Sequence, residues 1–168
     1  MKILLIGPQG SGKSTQAKLL AQYLGLPYIS SGDIFRQMQG KIKQILDQGK
    51  LVDDETTAKL VESRLKEADC QNGFILDGYP RTEEQIKLFD PKVDKVIYLK
   101  LSDESIMKRL LKRGREDDTP ESIRTRLNFY HEQTQPLLEY YQSLGILTEI
   151  DGEKPIDDVQ SAIRSALS

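Results

Sequence analysis

The sequence predicts an α/β fold in which a doubly wound, five-stranded parallel sheet carries helices on both faces. Five short apolar runs lack the alternation of polar and apolar residues that a half-exposed strand shows, so they suit strands buried on both sides. Longer segments with helical periodicity separate these runs, and strands that alternate with helices form parallel sheets. The predicted strands cover residues 2–6, 27–30, 73–77, 95–101 and 147–151.

The helices are predicted from amphipathic spacing and from residues that favour helix ends. Thr119, Pro120 and Glu121 supply an N-cap, a first-turn proline and an acidic first turn for one long helix. Pro136 lies inside that helix and should kink it, because proline cannot donate a backbone hydrogen bond. The predicted helices cover residues 13–24, 33–39, 41–48, 54–69, 82–89, 103–113, 120–143 and 156–167.

Length and composition restrict the class of protein. The chain has 168 residues, which fits one domain with a sizeable core, and a net charge of −2, which argues against a nucleic-acid-binding protein. The single cysteine, Cys70, excludes a disulfide framework and a cysteine-rich zinc site. The apolar run at residues 3–6 is too short for a signal peptide, and no stretch has the length of a membrane span. We therefore expect a cytoplasmic protein without membrane or nucleic-acid partners. We expect it to be a monomer, and an oligomer is the alternative that stays open.

Residues 7–15 contain a glycine-rich motif, Gly-x-x-x-x-Gly-Lys-Ser, directly after the first predicted strand. Glycines let the backbone curl so that consecutive N–H groups point at an anion, and the helix that follows directs its positive dipole end at the same point. Lys13 would contact the β- and γ-phosphates, and Ser14 would offer a hydroxyl to Mg²⁺. The motif therefore predicts a P-loop for a nucleoside triphosphate, with ATP-binding residues Gly10, Ser11, Gly12, Lys13, Ser14 and Thr15.

A second motif ends the third predicted strand. Asp77 closes the buried run, and Arg81 follows four residues later on a turn stiffened by Pro80. Ligands of open parallel sheets bind at the carboxyl ends of the strands, so Asp77 would lie beside the glycine-rich loop and hold Mg²⁺ directly or through water. The planar guanidinium group of Arg81 suits a phosphate.

Four motifs, taken in order along the chain, resemble those of the adenylate kinases, a family of nucleoside monophosphate kinases. They lie at residues 7–16, 30–36, 77–81 and 113–118. The resemblance implies reversible phosphoryl transfer from Mg·ATP to AMP, giving two ADP, with Mg²⁺ as the cofactor and adenine nucleotide homeostasis as the role. Two alternatives stay open: a UMP/CMP or broad-specificity monophosphate kinase, and a sensor that binds ATP and AMP without catalysis.

The resemblance also implies an AMP site. The mostly helical residues 31–69 correspond to the family's AMP-binding insertion, within a core formed by residues 1–30 and 70–168. Gln85 matches a glutamine of the AMP kinases, where pyrimidine kinases have asparagine, and together with Ser31 it favours AMP. The implied AMP-binding residues are Ser31, Arg36, Lys50, Leu51, Val52, Gly78, Arg81, Gln85, Arg115 and Arg126.

Several arginines are expected around the phosphates, because phosphoryl transfer brings two polyanions together and needs fixed cations. Arg109 and Arg113 share one helix face, and Arg126 lies at the edge of an apolar helical stripe. By resemblance, Arg109, Arg113 and Lys154 belong to the ATP site. The implied catalytic residues are Lys13, Arg81, Arg113, Arg115 and Arg126.

The segment at residues 113–119 departs from the family pattern. Only Gly114 separates Arg113 from Arg115, whereas related enzymes carry a few more residues or a whole lid there, some with zinc-binding cysteines. The chain is therefore expected to form one domain over residues 1–168, with a vestigial lid and no structural zinc.

Two acidic residues, Asp117 and Asp118, follow these arginines. We expect them to orient Arg115 and Arg126, because a carboxylate that pairs with a guanidinium group fixes its direction. Alternatively, one of them caps the helix predicted from residue 120.

Overall fold

The computed structural model describes residues 1–38, 40, 44 and 52–168 of the chain. Its centre is a sheet of five parallel strands in the order β2-β3-β1-β4-β5, with helices on both faces. The predicted doubly wound α/β fold is therefore confirmed. The strands are β1, Lys2–Ile6; β2, Tyr28–Ser30; β3, Phe74–Asp77; β4, Lys95–Lys100; and β5, Leu147–Asp151.

Helices connect the strands and cover the sheet. Among the described residues the α-helices are α1, Lys13–Leu24; α2, Ser31–Gln37; α3, Asp54–Leu65; α4, Glu83–Leu88; α5, Asp103–Arg113; α6, Pro120–Phe129; α7, Pro136–Ser143; and α8, Ile156–Leu167. A short 3₁₀ helix covers Ala68–Cys70, and a π-helical segment covers Tyr130–Thr134. None of these described helices has the length and apolar character that crossing a membrane requires.

The helices before β3 differ from their predicted boundaries. α2 begins at Ser31, two residues earlier than expected, because the Ser30 hydroxyl accepts a hydrogen bond from the backbone N–H of Asp33 and caps the helix. The helix predicted at 54–69 ends at Leu65 and is followed by the 3₁₀ helix. Residue 39 and the helix predicted at 41–48 lie outside the described residues, apart from residue 44.

The long helix predicted at 120–143 is divided by the π-helical segment. Pro136 has no N–H, and its ring collides with the carbonyl group four residues earlier in a regular helix. The wider π turn avoids this conflict, because the N–H of Gln135 donates to the carbonyl of Tyr130, five residues earlier, at 2.8 Å. The kink expected at Pro136 therefore takes the form of a local change in helix type.

Two layers of apolar side chains hold the helices to the sheet. On β1, Leu4 and Ile6 face one core with α3 and α7, while Ile3 and Leu5 face the other core with α1 and α8. All four side chains are almost fully buried. Each buried side chain of this size contributes roughly 1.5–3 kcal/mol, so β1 is firmly anchored on both faces.

The sheet changes its direction of winding at β1. After β3 the chain passes β1 and adds β4 and β5 on the other side. Leu5 of β1 is paired with Asp77 of β3, so the two strands end side by side. Ligands of such sheets bind in the crevice at this point, which is where the glycine-rich loop follows β1.

Candidate functional site

The glycine-rich loop joins β1 to α1 at the carboxyl edge of the sheet. Gly10 and Gly12 have φ angles of 84° and 86°, in the left-handed region that other residues rarely adopt. A Cβ atom at Gly10 would also come within 2.8 Å of Leu110. Lys13 is the first residue of α1, so the unpaired N–H groups of its first turn lie directly beside the loop.

Ser14, in the first turn of α1, meets Asp77 at the end of β3. The Ser14 hydroxyl donates to Asp77 Oδ2 at 2.6 Å, and the Tyr28 hydroxyl donates to the same oxygen at 2.9 Å. Burial, followed by the charge of Asp77, raises the pKa of Tyr28 to about 12, so this hydroxyl remains a donor. Hydroxyl and carboxylate oxygens suit Mg²⁺, so the pair fits an ion held jointly with nucleotide phosphates.

Lys13 lies among charged side chains from three regions of the chain. Burial lowers the pKa of Lys13, the charge of Asp77 opposes this effect, and the charges of Arg81 and Arg113 add to it. Part of the lysine surface nevertheless stays exposed. The charges of Asp77, Arg81 and Arg113 therefore all act on the Lys13 ammonium group.

Ser31, Gly78, Arg81 and Gln85 form one hydrogen-bonded group. The Ser31 hydroxyl and Arg81 Nε each donate to the carbonyl of Gly78 at 2.9 Å. Gly78 has a φ angle of 86°, and a Cβ atom there would come within 2.5 Å of Ser31 Oγ, so this position requires glycine. The backbone N–H of Arg81 donates to Gln85 Oε1 at 2.7 Å.

The side-chain amide of Gln85 is buried and held at both ends. Its oxygen accepts from Arg81, and its nitrogen donates to Asp54 Oδ1 at 3.0 Å. An amide oxygen can accept two hydrogen bonds and an amide nitrogen can donate two. Each end of Gln85 therefore keeps one further hydrogen-bonding position, while the two protein contacts fix the orientation of the amide.

The other predicted AMP-binding residues of the insertion are Arg36, Lys50, Leu51 and Val52. Arg36, in the last turn of α2, forms an ion pair with Asp33, and 70% of its side chain is exposed. A phosphate would therefore compete with Asp33 for Arg36. Val52 is half-buried just before α3, whereas Lys50 and Leu51 lie outside the described residues.

Asp118 is a buried carboxylate that binds two arginines from neighbouring helices. Arg113 donates to both of its oxygens, from Nε to Oδ2 at 2.8 Å and from Nη2 to Oδ1 at 2.7 Å. Arg126 Nη1 donates to Oδ1 at 3.2 Å. The hydrogen bonds from Arg113, followed by those from Arg126 and a backbone N–H, hold the pKa of Asp118 well below its ordinary range.

The expected pairing of Asp117 and Asp118 with Arg126 is confirmed. The pairing expected for Arg115 is wrong. Asp118 orients Arg113 and Arg126, and it contacts Arg115 only by accepting from its backbone N–H at 3.2 Å. Asp117 accepts from Arg126 through its carbonyl oxygen, and its carboxylate oxygen Oδ2 lies 3.5 Å from Arg126 Nη2. The reason is the tight turn after α5, in which the Asp118 N–H donates to the Arg115 carbonyl at 2.8 Å while the exposed Arg115 side chain points outward.

Arg109 reaches the loop that follows β5. Its Nη2 donates to the carbonyl of Gly152 at 2.9 Å. Glu153 holds the same loop to α5, because its carboxylate accepts from the Ser105 hydroxyl at 2.6 Å. The side chain of Lys154, the next residue, is exposed. The predicted ATP-site residues Arg109 and Lys154 therefore lie on neighbouring elements.

Three residues at the site were missed by sequence reasoning. Tyr28 contacts Asp77, Gln9 Oε1 accepts from Arg126 Nη1 at 2.6 Å, and the Thr134 hydroxyl donates to the carbonyl of Arg81 at 2.8 Å. For Tyr28, the only signal in the sequence that it belongs to the site was its position in the second predicted strand. The other two contacts depend on how distant helices pack, which no local pattern reports.

Comparison with known proteins gives a consistent result. The sequence model of the family described as adenylate kinase matches residues 5–146. An adenylate kinase of Corynebacterium urealyticum is 44% identical over 181 aligned positions, which cover 99% of this chain and 99% of that protein. Adenylate kinases of Lachnospira eligens and Agathobacter rectalis are 39% and 41% identical over 208 positions, which cover 97% of this chain and 98% and 97% of those proteins. These aligned regions exceed the 168 residues of this chain, so the relatives carry segments without a counterpart here.

Proposed function

This chain belongs to the adenylate kinase family, and we propose that it transfers the γ-phosphoryl group of Mg·ATP reversibly to AMP, giving two ADP. The observation that carries the proposal is the hydrogen bond from Arg126 to Gln9 of the glycine-rich loop, because Arg126 shares the carboxylate of Asp118 with Arg113 and so brings fixed cations to the loop that contains Lys13. Transfer between two polyanions needs several fixed cations, because their mutual repulsion must be offset at the reacting group. The reaction would balance the adenine nucleotides.

In this proposal ATP binds along the glycine-rich loop and the first turn of α1. The backbone N–H groups from Gly10 to Thr15 would hold the β- and γ-phosphates. The ammonium group of Lys13 would neutralise charge on the phosphoryl group during its transfer. Arg109 and the loop that contains Lys154 would bind the adenine end. The hydrogen bond from Arg109 to Gly152 supports this role, because it joins the two elements that would enclose the base.

Ser14 and Asp77 would hold Mg²⁺ together with the phosphates of ATP, with Asp77 acting directly or through water. The bound ion would neutralise charge on the β- and γ-phosphates. Tyr28 would keep the carboxylate of Asp77 in place when the Ser14 hydroxyl turns to the ion, since both hydroxyls donate to the same oxygen.

AMP would bind between residues 31–69 and the turn after β3. Ser31, Gly78 and Gln85 would recognise the adenine base, with Lys50, Leu51 and Val52 lining it, and Arg36 and Arg81 would bind the phosphate. The fixed amide of Gln85 supports adenine, because its remaining donor and acceptor match N1 and N6 of that base. A base with a different pattern would leave buried polar groups unpaired.

Arg113, Arg115 and Arg126 would stabilise the transferring phosphoryl group. Asp118 supports this role for Arg113 and Arg126, because it holds both guanidinium groups beside each other. Residues 113–119 would serve as a vestigial lid, from which Arg115 reaches the site by a small movement. Positioning and electrostatic stabilisation carry such a reaction, so no general base is assigned.

The test is ADP formation from Mg·ATP with AMP, UMP, CMP or GMP as the acceptor. We expect two ADP per ATP consumed with AMP, and a kcat/KM at least about 100-fold lower with the pyrimidine nucleotides. A preference for UMP or CMP would overturn the roles of Ser31 and Gln85. ATP binding without turnover on any acceptor would contradict the proposed reaction and favour a sensor.

We further propose that the protein acts in the cytoplasm as a monomer. A single cysteine, buried and unbridged, suits a reducing compartment. Sedimentation of the active protein tests whether the active species is a monomer. A dimer that loses its activity when it dissociates would contradict this proposal.

A further inference from the structure

The π-helical segment carries a side chain that reaches across the fold to the proposed AMP site. Thr134, its last residue, is 7% exposed. Its hydroxyl donates to the backbone carbonyl of Arg81 at 2.8 Å, although the two residues are 53 positions apart. A buried hydroxyl with a partner so distant in sequence links α6 and α7 directly to the turn after β3.

The backbone of Arg81 is held at both of its polar groups. Its carbonyl accepts from Thr134, and its N–H donates to the buried Gln85 side chain at 2.7 Å. With both groups fixed, the backbone cannot rotate freely, and the guanidinium group lies over Gly78, to whose carbonyl its Nε donates at 2.9 Å. Arg81 is exposed, so a ligand can reach it.

The change of helix type explains why Thr134 can make this contact. One additional residue enters the turn between Tyr130 and Gln135, which rotates the residues around it relative to a continuous α-helix. Thr134 lies at this turn, two residues before the helix restarts at Pro136. Such single π turns occur frequently at functional sites, and here the turn supplies a hydrogen-bond donor to the site.

We propose that Thr134 is a positioning residue, which holds the backbone of Arg81 so that its guanidinium group meets the phosphate of AMP in the correct direction. This inference rests on the proposed phosphoryl transfer to AMP. Reactions of this kind depend on alignment, and a displacement of about 1 Å can cost on the order of 100-fold in rate. Thr134 would act through Arg81 without touching either nucleotide.

The test compares Thr134→Val, which keeps the shape and removes the hydroxyl, with Thr134→Ser, which keeps the hydroxyl. Thr125→Val is the matched control, because the Thr125 hydroxyl donates only within its own helix, to the carbonyl of Glu121. We expect Thr134→Val to lower kcat/KM for AMP by about 10- to 100-fold while the Kd for ATP changes by less than about 2-fold. Thr134→Ser and Thr125→Val should stay within about 3-fold of the wild type. Equal losses in the serine and valine variants would overturn the proposal.

A double variant separates positioning from a general loss of structure. If Thr134 acts through Arg81, the double variant Thr134→Val, Arg81→Ala should differ from Arg81→Ala alone by less than about 2-fold in AMP turnover. The reason is that the guanidinium group that Thr134 positions is already absent. A full additional loss of about 10-fold or more would overturn the proposal.

Amide hydrogen exchange gives a readout that does not depend on turnover. The Arg81 N–H should exchange about 10-fold faster in Thr134→Val than in the wild type or in Thr134→Ser, because the turn loses one of its two supports. An unchanged rate at Arg81 would refute the positioning role even if activity fell. A wild type that fails to phosphorylate AMP would instead refute the proposed function, and the exchange rates would still decide whether Thr134 holds Arg81.

Discussion

Arg126 of α6 donates a hydrogen bond of 2.6 Å to the side-chain oxygen of Gln9 in the glycine-rich loop, across 117 positions of sequence. The buried carboxylate of Asp118 pairs with the same guanidinium group. Arg126 is therefore fixed between the turn after α5 and the phosphate-binding loop. Enzymes with long lids complete their sites by closing the lid. Here one cation of the proposed site already lies at the loop without such a movement.

Replacement of Gln9 by alanine should impair turnover more than stability. The ion pair between Arg126 and Asp118 would remain, so Tm should fall by less than about 2 °C. The hydrogen bond that joins the guanidinium group to the loop would be lost, so kcat should fall about 3- to 10-fold. Steady-state kinetics beside Gln22→Ala, an exposed glutamine of α1, checks this. A kcat equal to that of the control variant would show that the contact has no part in the reaction.

Asp118→Asn should lower the melting temperature by several degrees, because two arginines would lose their charged partner in a buried position. The folded pKa of Asp118 lies below its ordinary value. Its stabilising effect is therefore complete above the ordinary pKa of an aspartate, about 3.9, and is lost as the pH falls below that value. The difference in Tm between wild type and variant should be constant above about pH 5 and shrink below about pH 4. A difference that persists unchanged to pH 2 would contradict this assignment.

The fold was predictable where a local pattern determines the structure. The glycine motif placed a loop between β1 and α1, and Thr119 with Pro120 marked the start of α6, as the structure shows. The strand order was not predictable in the same way. It depends on pairing between distant residues such as Leu5 and Asp77, and continuous apolar runs carry no information on register.

The candidate site was predictable in its composition and less so in its contacts. The motifs indicated the charged residues, and the structure places Ser14 beside Asp77 and Arg126 beside Gln9 of the glycine-rich loop. The pairing of Arg126 with the carboxylates of Asp117 and Asp118 was predicted correctly, whereas Asp118 pairs with Arg113 in place of Arg115. The direction of each arginine depends here on a tight turn rather than on spacing along a helix. The role of Thr134 depends on a π turn, for which the sequence offered only the position of Pro136.

Ser14→Ala should weaken the effect of Mg²⁺ on ATP binding. The variant would lose one hydroxyl ligand, while Tyr28 would still hold Asp77. We expect the Mg²⁺ concentration for half-maximal enhancement of ATP binding to rise about 10-fold. Calorimetric titration of ATP at several Mg²⁺ concentrations measures this. Binding in the presence of EDTA should change by less than about 2-fold, and a larger loss there would mean that Ser14 contacts ATP itself.

The short connection between α5 and α6 should leave the proposed site more open to water. Without AMP, we expect this chain to hydrolyse ATP faster than the Lachnospira eligens adenylate kinase, which carries segments without a counterpart here. Phosphate release from ATP alone, measured for both proteins under the same conditions, checks this. An undetectable rate in this chain would contradict the expectation.

The most direct test of the central claim is the kcat/KM for AMP of the wild type, Arg81→Ala and Arg124→Ala. Arg81 lies in the turn after β3, where its Nε donates to the carbonyl of Gly78, whereas Arg124 is an exposed arginine of α6 and serves as the matched control. We predict AMP-dependent formation of ADP by the wild type, a loss of about 1,000-fold in Arg81→Ala, and a change of less than about 2-fold in Arg124→Ala. Turnover that survives in Arg81→Ala, or an equal loss in both variants, would contradict the account in which fixed cations, Arg81 among them, stabilise phosphoryl transfer to AMP.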